Sequence, residues 1–115
     1  MAIFKKLNSK KIDTTVAKER AENFVRYLKE KRRLDVTEAY LFGSYAKGTQ
    51  RKWSDIDVCI ISPYFKNRDA ISYLWHNRRD EDVDNQIEPV GFNEEEFSED
   101  WPLVREIKQK GIRIA

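Results

Sequence analysis

Apolar residues recur early in the chain at helical spacing. Val16, Ala17, Ala21, Phe24, Val25 and Leu28 form one stripe after Asp13-Thr14-Thr15, which suits a helix N-cap. The spacing predicts a long amphipathic helix over residues 14–33. Its basic end, KEKRR at 29–33, reads as a solvated helix end, because cations are favoured at a helix C-terminus. The pattern then turns strand-like over 36–42 and breaks at Gly43-Ser44. A short helical segment over 44–47 follows and is stopped by Gly48. A second strand spans 55–62 and ends at Pro63. A helix starts at Asn67 or Asp69 and runs to about Arg79, with Ile71, Leu74 and Trp75 on its apolar side. RRDEDVDN at 78–85 reads as a charged loop.

Residues 86–92 form a third strand, and Pro89 assigns it to a sheet edge or a bulge, since proline cannot donate to the ladder. Residues 101–110 make a last helix. Pro102 sits in its first turn, Leu103, Val104 and Ile107 lie on one side, and Gly111 stops it. A short extended piece at 112–114 adds to the sheet. The expected fold is α/β: a small mixed or antiparallel sheet with helices on one face and an acidic site on the other. No internal repeat is visible.

With 115 residues the chain is sized for one domain, residues 1–115, and has no room for a separate substrate domain. Hydrophobic residues at 40% and charged residues at 37% describe a globular chain. No apolar run approaches the ~20 residues that span a bilayer, and MAIFKKLNSKK has no apolar stretch of a secretory leader, so a cytoplasmic location without membrane contact is expected. Cys59 stands alone, which excludes an internal disulfide and a multi-cysteine zinc site, and reads as a small hydrophobe in a strand. Residues 1–53 carry 14 Lys/Arg against 6 Asp/Glu and residues 54–115 carry 8 against 14, giving halves of +8 and −6. This suits a metal–nucleotide site, although on charge alone two solvated faces of opposite sign are the simpler reading.

The chemistry concentrates in LFGSYAKGTQRKWSDIDVCII, residues 41–61. In a strand, Asp55 and Asp57 point to one face and Ile56, Val58 and Ile60 to the other, with the carboxylates roughly 7 Å apart at ~3.4 Å rise per residue. Unpaired neighbouring carboxylates repel, and a hard cation resolves the conflict. Oxygen ligands without His or Cys point to Mg²⁺ or Mn²⁺, which completes its shell with substrate phosphates and water. Upstream, Gly43 lets the backbone approach a ligand closely. The N–H groups opening the short helix, the Ser44 hydroxyl and the Lys47 ammonium supply a phosphate cradle. Taken alone, Asp55 also reads as a strand cap beside Ser54.

Gly43-Ser44, ten intervening residues and then Asp55-Ile56-Asp57-Val58 resemble the signature of the polymerase-β-like nucleotidyltransferase superfamily, and the short chain resembles its minimal nucleotidyltransferases. The resemblance is strong over about 20 residues, and the order of elements supports it. It implies the polymerase-β-like fold, a nucleoside triphosphate held at Gly43, Ser44 and Lys47, and metal held by Asp55 and Asp57. It also implies attack of an acceptor hydroxyl on the α-phosphate with loss of pyrophosphate. A third family carboxylate lies on a later strand. Glu88, the acid inside the third strand, takes that place as metal ligand or general base, although many relatives carry Asp there. Tyr45 stands where relatives often carry Arg, and Lys47 is placed to compensate.

The expected activity is Mg²⁺-dependent transfer of AMP from ATP. With no acceptor-binding domain, the chain resembles antitoxins paired with a helical HEPN-type protein, which they adenylylate or bind. The competing readings are a non-catalytic module that masks its partner by contact, and a transferase acting on a small molecule such as an aminoglycoside. A nucleic-acid partner is not expected, since only the basic N-terminal half suggests one; a homo-oligomer stays open. Arg51 and Trp53 are placed to meet a base or phosphate, or to pack under their loop. His76 reads as structural or surface, and EEEFSED at 94–100 as a solvated lead into a helix. Phe65, Tyr73 and Trp75 suit either an interface or the core.

Overall fold

The computed structural model describes residues 12–115, so the expectations for the N-terminal leader region lie outside the described residues. Helix α1 (Thr14–Glu30) starts where Asp13 accepts a hydrogen bond from the Val16 N–H at 2.9 Å. Its buried stripe is Ala17, Ala21, Phe24, Val25 and Leu28, largely the set picked out by spacing. The helix ends at Glu30 and not at residue 33. Arg33 adopts a φ of 58°, and the Leu34 N–H turns back onto the Leu28 carbonyl at 3.0 Å, burying Leu34.

Four strands follow: β1 (Glu38–Phe42), β2 (Ile56–Ile61), β3 (Ile87–Phe92) and β4 (Ile112–Arg113), in the spatial order β3-β2-β1-β4. β1 pairs antiparallel with β2 and β4, whereas β2 and β3 are parallel, so of the two expected forms, mixed or antiparallel, the sheet is the mixed one. Pro89 sits on an edge strand opposite Val58. The Ile56 N–H donates to Gln86 and the Ser62 N–H to Phe92, so even-numbered residues of β3 turn their carbonyls toward β2. Pro89 falls in the odd set facing away, where its missing N–H costs no ladder bond.

Short helices connect the strands: α2 (Ser44–Lys47), α3 (Ala70–His76), α4 (Asp80–Asp84), α5 (Glu94–Phe97) and α6 (Pro102–Lys110). Two of them correct the expectations from sequence. The segment 78–85 is not a loop throughout, because α4 forms within it. Its acidic first turn suits a helix N-terminus, and the Asp82 carboxylate, 2% exposed, accepts the Arg79 backbone N–H at 2.8 Å and its Nε at 2.9 Å. Arg79 also reaches Asn23 of α1 at 2.7 Å and lies over the Tyr27 ring. In α3, which starts only after the Asp69 cap, the buried residues are Ala70 and Leu74. Ile71 and Trp75 are 54% and 39% exposed.

Apolar packing occupies both faces of the sheet, which corrects the placement of helices on one face only. On the first face, α1, α3 and Tyr45 pack against Leu41, Ile56, Val58 and Ile60. Each fully buried aliphatic side chain there contributes about 1.5–3 kcal/mol. On the second face, Phe97, Val104 and Ile107 of α5 and α6 cover Phe42, Cys59 and Ile61. The reason is the strand period: Cys59 and Ile61 share the face of Asp57, and two apolar side chains there need a cover. Leu103, expected beside Val104 and Ile107, is instead exposed. The lead at 94–97 forms one helical turn capped by Asn93, which accepts from the Glu96 N–H at 2.8 Å. Among the described residues no helix is long and apolar enough to cross a membrane.

Candidate active site

Ile56 and Val58 are fully buried against the first face, so the pleat turns Asp57 to the second face at the start of β2. Its cross-strand partners are Phe42 on β1 and Glu88 on β3. Asp57 and Glu88, paired in register on parallel strands, therefore share a face. Asp55 stands one residue before β2 and not inside it. The preceding turn closes right up to it: the Ser54 N–H donates to the Arg51 carbonyl at 3.0 Å, and the Arg51 N–H donates to Ser54 Oγ at 2.7 Å. The first ladder bond comes from the Ile56 N–H to Gln86, at 2.9 Å.

Gly43 connects β1 to α2 with φ 73° and ψ −151°, a conformation essentially reserved for glycine. A Cβ at this position would lie 2.2 Å from Asp57 Oδ2. The close approach inferred for Gly43 is thus made, within the chain, by the Asp57 carboxylate, which rests against the turn. Ser44 opens α2, and Gly48, in left-handed conformation, closes it. Lys47 Nζ lies 3.9 Å from Glu106 Oε2 on α6, both side chains partly exposed. Tyr45 is buried, and its carbonyl accepts the Thr14 hydroxyl at 2.7 Å; it belongs to the core, with Arg20 and Asp55 as the charges felt at its ring hydroxyl.

The electrostatics follow from this crowding. Burial first, then the charges of Glu88, Asp55 and Glu106, push the Asp57 carboxyl up to about 7, with Lys47 opposing. Glu88 is also raised, by burial and then by a hydrogen bond and charge repulsion with Asp55, against the pull of Arg78. Glu106 and Arg78 were not visible as site neighbours from sequence. Glu106 sits beside the buried Ile107, and only the docking of α6 on the second face brings it to Asp57.

Asp55, Asp57 and Glu88 offer oxygen donors with excess negative charge, opposed by Lys47 and Arg78, and this donor set fits a hard divalent cation such as Mg²⁺ or Mn²⁺. The fit is one of donor chemistry, since among the described residues no three His, Cys, Asp or Glu side chains are grouped closely enough to hold a metal ion as they stand. Trp53, 51% exposed, does not pack under its loop, and the Lys52 ammonium lies 5.4 Å from its ring centre. His76 is exposed.

Among the curated proteins none matches the chain significantly. Several solved chains match its fold, two of them as follows. One is a protein of Sulfolobus solfataricus described as a candidate nucleotidyltransferase, 18% identical, with a TM-score of 0.61 over 95% of this chain and 85% of that one. The other is a toxin–antitoxin structure with AMP-PNP, 24% identical, with a TM-score of 0.60 over 82% of this chain and 72% of that one. The family model described as the nucleotidyltransferase domain matches residues 21–114, a span holding the Gly43-Ser44 turn and all three carboxylates. With that match over most of its length and the same mixed α/β architecture, the chain belongs to the nucleotidyltransferase domain family.

Proposed function

We propose that this chain, acting as one catalytic domain, transfers AMP from ATP to a hydroxyl group of a HEPN-type partner protein and so works as an antitoxin. The observation that carries the reading is the placement of Asp57 in register with Glu88, its carboxylate set against the Gly43 turn. Phosphate-binding and acidic groups thereby meet at one end of the sheet. The toxin–antitoxin neighbour with AMP-PNP supports the nucleotide and the kind of partner.

In this reading the Gly43-Ser44 turn and Lys47 take the phosphates, while Asp55, Asp57 and Glu88 hold Mg²⁺. The cation supplies charge stabilisation for the oxygens of an in-line displacement. Glu88, raised from its ordinary value by burial and by Asp55, is suited to accept the proton of the acceptor hydroxyl. Lys47 keeps a positive charge facing Asp57 and offsets part of the acids' repulsion. Little covalent chemistry is asked of the protein; positioning and electrostatics carry the step.

The test is transfer of label from α-labelled ATP, with Mg²⁺, to a HEPN-type partner encoded beside this chain, comparing wild type with Asp57→Asn. Label that requires Asp57 supports the proposal. A stable complex without label favours masking by contact and sinks the catalytic reading.

A further inference from the structure

β3 carries Glu88 but, among the described residues, is an edge strand paired only with β2. A strand held on one side frays more readily than a central one, and a carboxylate that must meet two others needs its backbone fixed. The free side of β3 is occupied by two side chains from the end of α3 and the residues after it. The Trp75 indole Nε1–H donates to the Pro89 carbonyl at 3.0 Å. Arg78 Nη1 donates to the Ile87 carbonyl at 3.3 Å, and its guanidinium lies 4.0 Å from the centre of the Trp75 ring. Ile87 and Pro89 are the residues on either side of Glu88. Both outward carbonyls that bracket the third acid are thus taken by a stacked Trp–Arg pair, and the Arg78 charge also acts on the Glu88 carboxylate.

Core packing does not account for this arrangement, because Trp75 is 39% exposed, on the solvent side of α3. Its polar edge is what is anchored. Resting on the nucleotidyltransferase reading of the acidic site, we infer that Trp75 and Arg78 are positioning residues for Glu88, clamping the edge strand so that its carboxylate is held in place for the divalent cation.

Mn²⁺ binding to the full chain without nucleotide, followed by the EPR signal of the free ion, tests this without any need for turnover. Trp75→Phe keeps the ring and removes the donor, whereas Arg78→Lys keeps the charge and removes the planar fork. Each lowers Mn²⁺ affinity about tenfold, toward the value of Glu88→Gln, as expected for groups that orient a metal ligand. In the Glu88→Gln background neither has a further effect. A purely structural role cannot produce that dependence on Glu88. Urea midpoints measured alongside show whether either variant is folded, and the two substitutions stand in for one another if one is not. Unchanged affinity, or equal losses with and without Glu88, overturns the inference and leaves the site reading standing. A wild-type chain that takes up no Mn²⁺ overturns both.

Discussion

The two faces of β2 differ from one end of the strand. On one, Ile56, Val58 and Ile60 are all fully buried under α1 and α3. On the other, Cys59 and Ile61 are just as buried, but the series begins with Asp57, beyond the shared apolar cover that α5 and α6 provide. A single strand therefore serves as scaffold on one face and as both scaffold and proposed site on the other. The acidic cluster occupies the end where the second layer stops, anchored by what is buried further along.

Asp57→Asn acts on the acidic end of β2 alone. It should lower nucleotidyl transfer by at least about 100-fold, since in the proposed mechanism it removes a metal-binding charge while keeping the shape. Initial rates of labelled AMP transfer check it, and circular dichroism should show the fold retained. On the opposite face, Ile60→Ala should do the reverse. It should cost about 2–5 kcal/mol of stability in urea unfolding, with the rate per folded molecule little changed. A smaller effect is expected at the junction of the two faces. Gly43→Ala places a methyl against Asp57 Oδ2 and forces alanine into a glycine conformation, at a cost of about 1–3 kcal/mol. Transfer should fall along with stability, and a variant with wild-type activity would show that the carboxylate moves aside freely.

The smallest expected effect is on pH dependence. Asp57 titrates near 7 in the fold and near 3.8 unfolded, so the folded state holds its proton more tightly. Its contribution to stability is fully present below about pH 4 and is lost as pH rises toward 7, by on the order of 1 kcal/mol once partial exposure is discounted. Metal-free urea midpoints should show this slope superimposed on other titrations. Asp57→Asn should remove it, and saturating Mg²⁺ should diminish it by favouring the ionised form.

How much of this was legible depends on whether the signal was local. The turn at Gly43, the helical segment Ser44–Lys47 stopped by Gly48, and the edge position of Pro89 follow from one or two residues each, and the structure shows all of them. The common face of Asp57 and Glu88 depended on the register of β2 against β3, which no local pattern specifies. The cover over Cys59 and Ile61 was written in the alternation, but the acids drew attention to that face as a site and hid its need for packing. Helix α4 was missed because DEDVD is polar almost throughout; what it buries is Asp82, made tolerable by Arg79. In α3 the apolar positions were right in kind but wrong in phase, because a helix of seven residues buries only part of its apolar side.

The Trp75–Arg78 clamp also bears on how other proteins can attach to this one. Edge strands invite pairing with foreign chains, both in recognition by strand addition and in aggregation. Here two carbonyls on the open side of β3, those of Ile87 and Pro89, already have donors, and Pro89 offers no N–H. A foreign strand would have to displace a stacked aromatic–guanidinium pair to gain an incomplete ladder. Among the described residues the opposite border is β4, only two residues long. Association by extending the sheet is thus discouraged at both margins, and a partner is left to recognise the chain through its side-chain surfaces.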